Sequence, residues 1–188
     1  MTDSSTTERM LNFPPSALAA IHRAATQDRS PGEAAALVRQ IGFETGEGFL
    51  EAFSGWLEHH RQDPGADPAS LAADDFWHHL STFFSSLGWG RLEFVQLHNG
   101  VGALTSTEWA EAIPGEGARH PTCHFTTGML ADLLSRLVGS DLALLEVDCR
   151  SRGDASCRFL LGSAEALQIV FEGLRKGEEV EVVVQALA

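Results

Sequence analysis

The sequence predicts an α+β (α/β) protein: an antiparallel sheet with a helix crossing it, preceded by a mostly helical N-terminal region. Three observations predict it. Apolar residues recur at helical spacing as far as Leu87. From Arg91 onward the pattern switches to short alternating runs of strand type. Between two pairs of such runs lies one strong helical stretch, from about Thr122 to Val138. The 188 residues suffice for one domain, or one domain with a helical extension.

Residues 1–12, rich in Ser and Thr with little to bury, are expected to form a disordered tail. Pro14-Pro15-Ser16 starts a first helix carrying Ala17, Leu18, Ile21 and Ala24. Ser30-Pro31-Gly32-Glu33 starts a second, predicted to run unbroken from Pro31 to about Arg61 on a stripe of Leu37, Ile41, Phe49, Phe53, Trp56 and Leu57. Gly42 and Gly46 inside it weaken a helix by about 1 kcal/mol each relative to Ala. Close approach of another helix would explain them, and this helix is the expected subunit contact of a homodimer. Asp63 to Asp67 reads as a turn. A third helix follows from Ser70, as its cap, to Leu87, and Gly88 ends it.

Strands are expected at Arg91–Leu97, Val101–Trp109, Leu142–Val147 and Ser156–Leu161. Gly139 closes the helix between the two pairs, and Ala164–Leu174 is a further helix. Glu178 to Ala186 reads equally as strand or helix. The whole is three helices followed by a ββαββα unit, which divides the chain at about residue 88: a helical region 13–88 that dimerises and a binding region 89–188.

Charge narrows the function classes. With 13 Lys+Arg against 26 Asp+Glu the net charge is −13, and neither half is basic. Binding to nucleic acid or to an anionic membrane surface needs a cationic patch, so neither is expected. No apolar run reaches the roughly 18 residues of a membrane span, and Met1–Met10 has no signal-peptide character, so the expected location is the cytoplasm. No nucleophile elbow, phosphate loop, nicotinamide site or flavin site is present in the pattern, so an enzymatic role has no support from motifs.

All three cysteines fall between residues 123 and 157. Cys123 opens the long helix, Cys149 ends the strand that carries Glu146, and Cys157 begins the next strand. A hairpin turning at Gly153-Asp154 brings Cys149 and Cys157 together. Glu146, three residues before Cys149, points to the opposite face of a regular strand, so both reach one ion only if the strand ends or bulges near Asp148. The helix dipole favours thiolate at Cys123. These four groups could form a tetrahedral S3O metal site, or the cysteines could be inert buried thiols. His120 or His124, beside Cys123, is an alternative to Glu146 as fourth ligand. Arg150, Arg152 and Arg158 flank the set, and at least one is expected to donate to a ligand sulfur or oxygen, the alternative being that they are solvated loop charges. The adjacent pairs His59-His60 and His78-His79 cannot share an ion within a pair, and Asp74-Asp75 suits a helix start.

Cys123-His124-Phe125, Gly128, Glu146-x-x-Cys149, Gly153-Asp154 and Cys157-Arg158-Phe159 together resemble the 4-vinyl-reductase domain family, over about Trp89 to Ser163. The family takes its name from a protein of bacteriochlorophyll synthesis. The resemblance implies zinc held by Cys123, Glu146, Cys149 and Cys157, as in related phenol- and toluene-responsive sensor domains. Four protein ligands leave no open position, so such a zinc is structural.

Phe83, Phe84, Trp89, Phe94, Trp109, Phe125 and Met129 lie on elements that should enclose one apolar interior, most of it core. The resemblance implies a hydrophobic or aromatic small molecule there. Its candidate contacts are Phe84, Trp89, Phe94, Trp109, Phe125 and Met129, with His98 and Trp109 the nearest candidates for a polar anchor. The expected function is therefore a small-molecule binding or sensing module. The alternatives are an accessory or reductase-like factor in tetrapyrrole synthesis, and an assembly scaffold, since the family's fold resembles that of vesicle-tethering subunits.

Overall fold

The computed structural model describes residues 14–115 and 117–187; the expected tail, residues 1–12, lies outside them. Helix α1 spans Pro15–Thr26 and α2 Pro31–Phe43, the latter fixed at its start by a reciprocal pair of hydrogen bonds between Ser30 and Glu33. The predicted continuous helix to Arg61 is instead two helices, with α3 at Gly46–Arg61. Thr45 causes the break. Its backbone N–H and its hydroxyl both donate to the Gly42 carbonyl, at 2.9 and 2.6 Å, and take that acceptor out of the helical ladder.

Ser70 does not cap a helix as expected. It lies in a short 3-10 turn, Pro68–Ser70, where Asp67 accepts from the Ala69 N–H at 2.9 Å. Helix α4, Ala73–Ser86, begins three residues later with Asp74 and Asp75 in its positive first turn. Strands β1 (Glu93–His98) and β2 (Val101–Ser106) follow, then α5 (His124–Val138), closed by Gly139 in the left-handed region at φ 67°. Strands β3 (Ala143–Asp148) and β4 (Cys157–Gly162) precede α6 (Ala164–Arg175) and α7 (Val180–Gln185), so the C-terminal segment is helix.

The sheet is antiparallel with order β1-β2-β4-β3. Its two faces bury different clusters. Leu104 and Phe159 face Met129, Leu130 and Leu133 of α5 together with the N-terminal helices. Val101, Ala103 and Leu160 face Leu167, Val170 and Val183 of α6 and α7. Central strands covered on both sides read as near-continuous apolar runs, as β2 and β4 do.

Helix α5 is the axis of the molecule, and it packs principally on α2. A Cβ on Gly42 would fall inside contact distance of the Phe125 backbone, and one on Gly128 inside that of the Arg39 carbonyl. Gly46 likewise meets Asp132. The helix whose approach these glycines permit is thus α5 of the same chain, and their faces are unavailable to a second subunit.

Because backbone atoms meet at this crossing, they cannot move aside. Gly128→Ala is expected to cost about 3 kcal/mol in urea denaturation. Gly32→Ala, where nothing lies within 4 Å, should leave stability unchanged or raise it by about 0.5 kcal/mol.

Candidate metal centre

Cys123 occupies the N-cap of α5 yet makes no side-chain cap hydrogen bond. The free N–H groups of that first turn are satisfied from elsewhere. The Cys123 N–H donates to Glu146 Oε2 at 2.8 Å, and the N–H groups of Phe125 and Thr126 donate to the two carboxylate oxygens of Glu111 at 2.9 and 2.8 Å. Glu146 reaches this position because β3 bulges. The register against β4 slips between Glu146, paired with Phe159, and Asp148, paired with Arg158. The extra residue turns Glu146 and Cys149 to one side, as the sequence required of any shared site.

Cys149 and Cys157 face each other across a tight knuckle. The 3-10 turn Arg150–Arg152 leads to Gly153 at φ 105°, and Asp154 Oδ2 accepts the Cys149 N–H at 2.7 Å. Cys123 Sγ lies 4.0 Å from Cys149 Sγ and 3.9 Å from Cys157 Sγ. Ligand atoms of all four residues sit within 4.8 Å of one another, and all four residues are buried.

Two features of this set fit a tetrahedral cation. Sulfurs each about 2.3 Å from zinc stand about 3.8 Å apart at tetrahedral angles, close to the distances found. In addition, Glu146 Oε1 is buried without a hydrogen-bond partner among the described residues, an arrangement costly for a carboxylate left to itself. Burial, reinforced by the neighbouring Cys149 charge, raises Glu146 to about 9. Hydrogen bonding with Cys149 and Cys157, and then burial, push the Cys123 thiol far up. Hydrogen bonding with Cys123 pulls Cys157 down, but Cys149 and burial outweigh it, and the thiol rises to about 12. Cys149 alone is held below its ordinary value, by hydrogen bonds from Cys123 and then Cys157.

The arginines do not serve the ligands. Arg152 pairs with Asp154 and Asp148 and donates to the Val147 carbonyl, and Arg158 pairs with Glu181. No arginine among the described residues hydrogen-bonds a sulfur of the set or Glu146. Neutral donors surround the sulfurs instead. Thr122 Oγ1 lies 3.6 Å from Cys149 Sγ, and the Cys123 backbone N–H is given to Glu146. Neither His120 nor His124 joins the set: His120 is exposed, and the His124 ring stacks on His22 at 6.4 Å.

Glu111 is the residue that sequence reasoning missed. Its side chain is fully buried, and besides the two amides it accepts from the Thr126 hydroxyl and meets His22 Nε2 of α1 at 2.9 Å. No periodicity marks it. The one available signal was physical: a cysteine is a poor N-cap, so the first turn of α5 had to find its acceptors on another segment.

The expected ligand contacts are divided by the fold. Phe84, Trp89, Trp109, Phe125 and Met129 do converge, with Trp109 5.5 Å from Phe84 and 5.6 Å from Trp89, and Trp89 5.9 Å from Phe125. They fill one another's space, however, with Phe84, Trp109 and Met129 fully buried. The Trp109 indole N–H is already given to Thr126 Oγ1 at 2.7 Å. Phe94 lies apart, stacked on Trp77 at 4.2 Å over Gly102. His98 stands at the turn end of the β1–β2 hairpin, opposite the end from which the chain leads to Trp109, so the two do not form one anchor. An apolar cleft of about 320 Å³ opens elsewhere, between α4 and the C-terminal half of α5, walled by Leu71, Phe76, Trp77, Leu134, Leu137 and Leu142.

Comparison with known proteins places the chain. The 4-vinyl-reductase domain profile matches residues 108–163, a span holding all four cluster residues and Glu111. The bacteriochlorophyll synthase 23 kDa chain of Cereibacter sphaeroides is 30% identical over 153 residues, covering 79% of this chain and 70% of that one. Among solved structures, the phenol-responsive sensory domain of the transcription activator PoxR, with phenol, has a TM-score of 0.63 at 17% identity, over 84% of this chain and 78% of that one. A trafficking protein particle complex subunit 3 from Naegleria fowleri, covalently bound to palmitic acid, has a TM-score of 0.62 at 11% identity, over 79% and 91%. At such identities the two structures share the fold.

Glu111→Ala leaves two buried amides without an acceptor and is expected to cost about 3 kcal/mol in chemical denaturation. His22→Phe, which removes only the partly exposed end of the same network, should cost less than about 1 kcal/mol.

Proposed function

The chain belongs to the 4-vinyl-reductase domain family, and from that premise we propose that it is a binding module for a small hydrophobic molecule, held in shape by a structural zinc ion. The observation that carries this reading is the division of labour along α5. Its N-terminal end is gripped by Cys123, Glu146, Cys149 and Cys157, while its C-terminal half walls the apolar cleft. Zinc, when bound, supplies a cross-link between helix, strand and knuckle and neutralises their charge; four protein ligands leave it no open position for a reacting group. A set of reduced thiols suits the cytoplasm. No described helix is long and apolar enough to cross a membrane.

The cleft replaces the packed aromatic cluster as the proposed ligand site, since its walls are apolar and its space is open. A homodimer remains part of the reading, with its contact moved from the glycine faces to Ile21 on α1 and Ile41 and Phe43 on α2, all exposed. The C. sphaeroides relative favours a second reading, an accessory role in bacteriochlorophyll synthesis, in which the bound molecule is a pigment precursor.

Native mass spectrometry of the purified full chain is expected to show one zinc per chain, and Cys149→Ser to abolish it. The pKa values of Cys123, Cys157 and Glu146 are raised, so ion binding must displace protons from the set. Calorimetry in buffers of different ionisation enthalpy should therefore find protons released on zinc binding, and affinity that falls as the pH is lowered. An apolar fluorophore such as 1-anilinonaphthalene-8-sulfonate should bind the zinc-loaded protein and be excluded by Leu137→Trp with the zinc retained. Unchanged binding in that variant would move the ligand site away from the cleft.

A further inference from the structure

Three thiolates and a carboxylate around a divalent cation carry a formal charge of −2; of the arginines expected to offset it, Arg152 and Arg158 are engaged with other carboxylates, and Arg150 makes no hydrogen bond to the set. The compensation must come from other donors. Ser151, two residues beyond Cys149 in the knuckle and 1% exposed, is the centre of a group that nothing in the metal set itself requires. Its Oγ accepts the Ile113 N–H at 2.8 Å and the Thr122 hydroxyl at 2.9 Å, and its carbonyl accepts the Ala118 N–H at 3.1 Å. Thr122 Oγ1 in turn lies 3.6 Å from Cys149 Sγ, within reach for a hydrogen bond to sulfur.

We propose that Thr122 and Ser151 form a hydroxyl relay that carries a hydrogen bond from the Ile113 backbone amide to the metal-bound sulfur of Cys149. The direction follows from counting hydrogens. A metal-bound thiolate has none, so Thr122 must be the donor across the 3.6 Å contact. Here that single hydrogen is given to Ser151; turned to the metal-bound sulfur it is withdrawn from the 2.9 Å contact, across which Thr122 Oγ1 can then only accept from Ser151. Ser151, having given its own, accepts from Ile113, whose amide is always a donor. Every hydrogen in the chain then has one acceptor, and the dipoles all point their positive ends at the sulfur. The relay also fastens residues 113–122 to the knuckle, so the loop that carries the metal-facing hydroxyl is held by the same bonds.

The inference rests on the metal reading above, and the test separates the two. The full chain is titrated with Co²⁺, whose sulfur-to-metal charge-transfer band reports the electron density on the thiolates, and Co²⁺ affinity is measured against a chelator. Wild type taking up no Co²⁺ would sink the metal reading and this inference together. With Co²⁺ bound, Thr122→Val is expected to bind one ion per chain with the band moved to longer wavelength and the affinity lowered about tenfold. Thr122→Ser, which restores the hydroxyl but not the methyl, should recover both. Ser151→Ala should shift the band in the same direction by less, because Thr122 keeps its donor and loses only the polarisation behind it. A Thr122→Val band identical to wild type, or a Thr122→Ser protein that behaves like the valine variant, overturns the relay. So does Ser151→Ala with no shift at all. Far-ultraviolet circular dichroism with and without metal confirms that each comparison is made between folded proteins.

Discussion

The first turn of α5 organises the molecule around it. Four amide N–H groups at a helix start need acceptors, and this helix opens on a cysteine that supplies none. Two carboxylates from separate parts of the chain answer the demand: Glu146 from the end of β3 and Glu111 from the loop after β2. Three sulfurs gather beside them. The positive end of the helix thereby fixes the sheet edge, the knuckle and the loop in one operation, and through His22 it also holds α1. What would be a helix cap in another protein is here also the wall of a cluster that could hold a metal ion.

That arrangement demands a rigid mounting for α5, and the glycines provide it. Gly42 and Gly128 let α2 and α5 touch backbone to backbone near Phe125, close to the metal set. Contact of that kind leaves no side chains to rearrange. Farther along α5 the pattern reverses, and Leu134, Leu137 and Val138 project toward α4 and the Pro68–Ser70 turn without filling the space between. A helix clamped at one end and loosely covered at the other can hold a ligand at the second without disturbing the first.

Much of this was legible in the sequence because it rests on local rules. The antiparallel sheet and its crossing helix followed from periodicity, the end of α5 from Gly139, and the need for a strand irregularity near Asp148 from the parity of Glu146 and Cys149. Where the reading failed, two local forces competed or a distant partner decided. Thr45 breaks a helix that the apolar stripe favours, because its hydroxyl sits close enough to take a carbonyl. Glu111 finds its role only once the first turn of α5, 14 and 15 residues on, and His22 of α1, 89 residues back, are folded against it. The aromatics were the hardest case. A packed core and a ligand pocket call for the same residue types, so composition cannot separate Trp109, fully enclosed, from Trp77, which borders open space.

The arginines show how a site's charge is settled by its neighbourhood. Flanking position suggested that Arg150, Arg152 and Arg158 would face the sulfurs, yet in a chain of net charge −13 a guanidinium has many carboxylates to choose from. Asp148 and Asp154 lie within a few residues of Arg152, and Glu181 faces Arg158 from α7; all three stay partly solvated and take the two arginines at 2.7 to 3.3 Å. Turning such a cation inward would add the desolvation of a second ion to that of the first. Amide and hydroxyl dipoles carry no net charge and are already desolvated in the fold, so they can face a thiolate at lower cost. An acidic protein that buries more anions therefore does better to surround them with oriented neutral donors than with its own scarce cations. The Cys123 amide at the start of α5 and the hydroxyls of Thr122 and Ser151 are the donors that this sequence has in the right place.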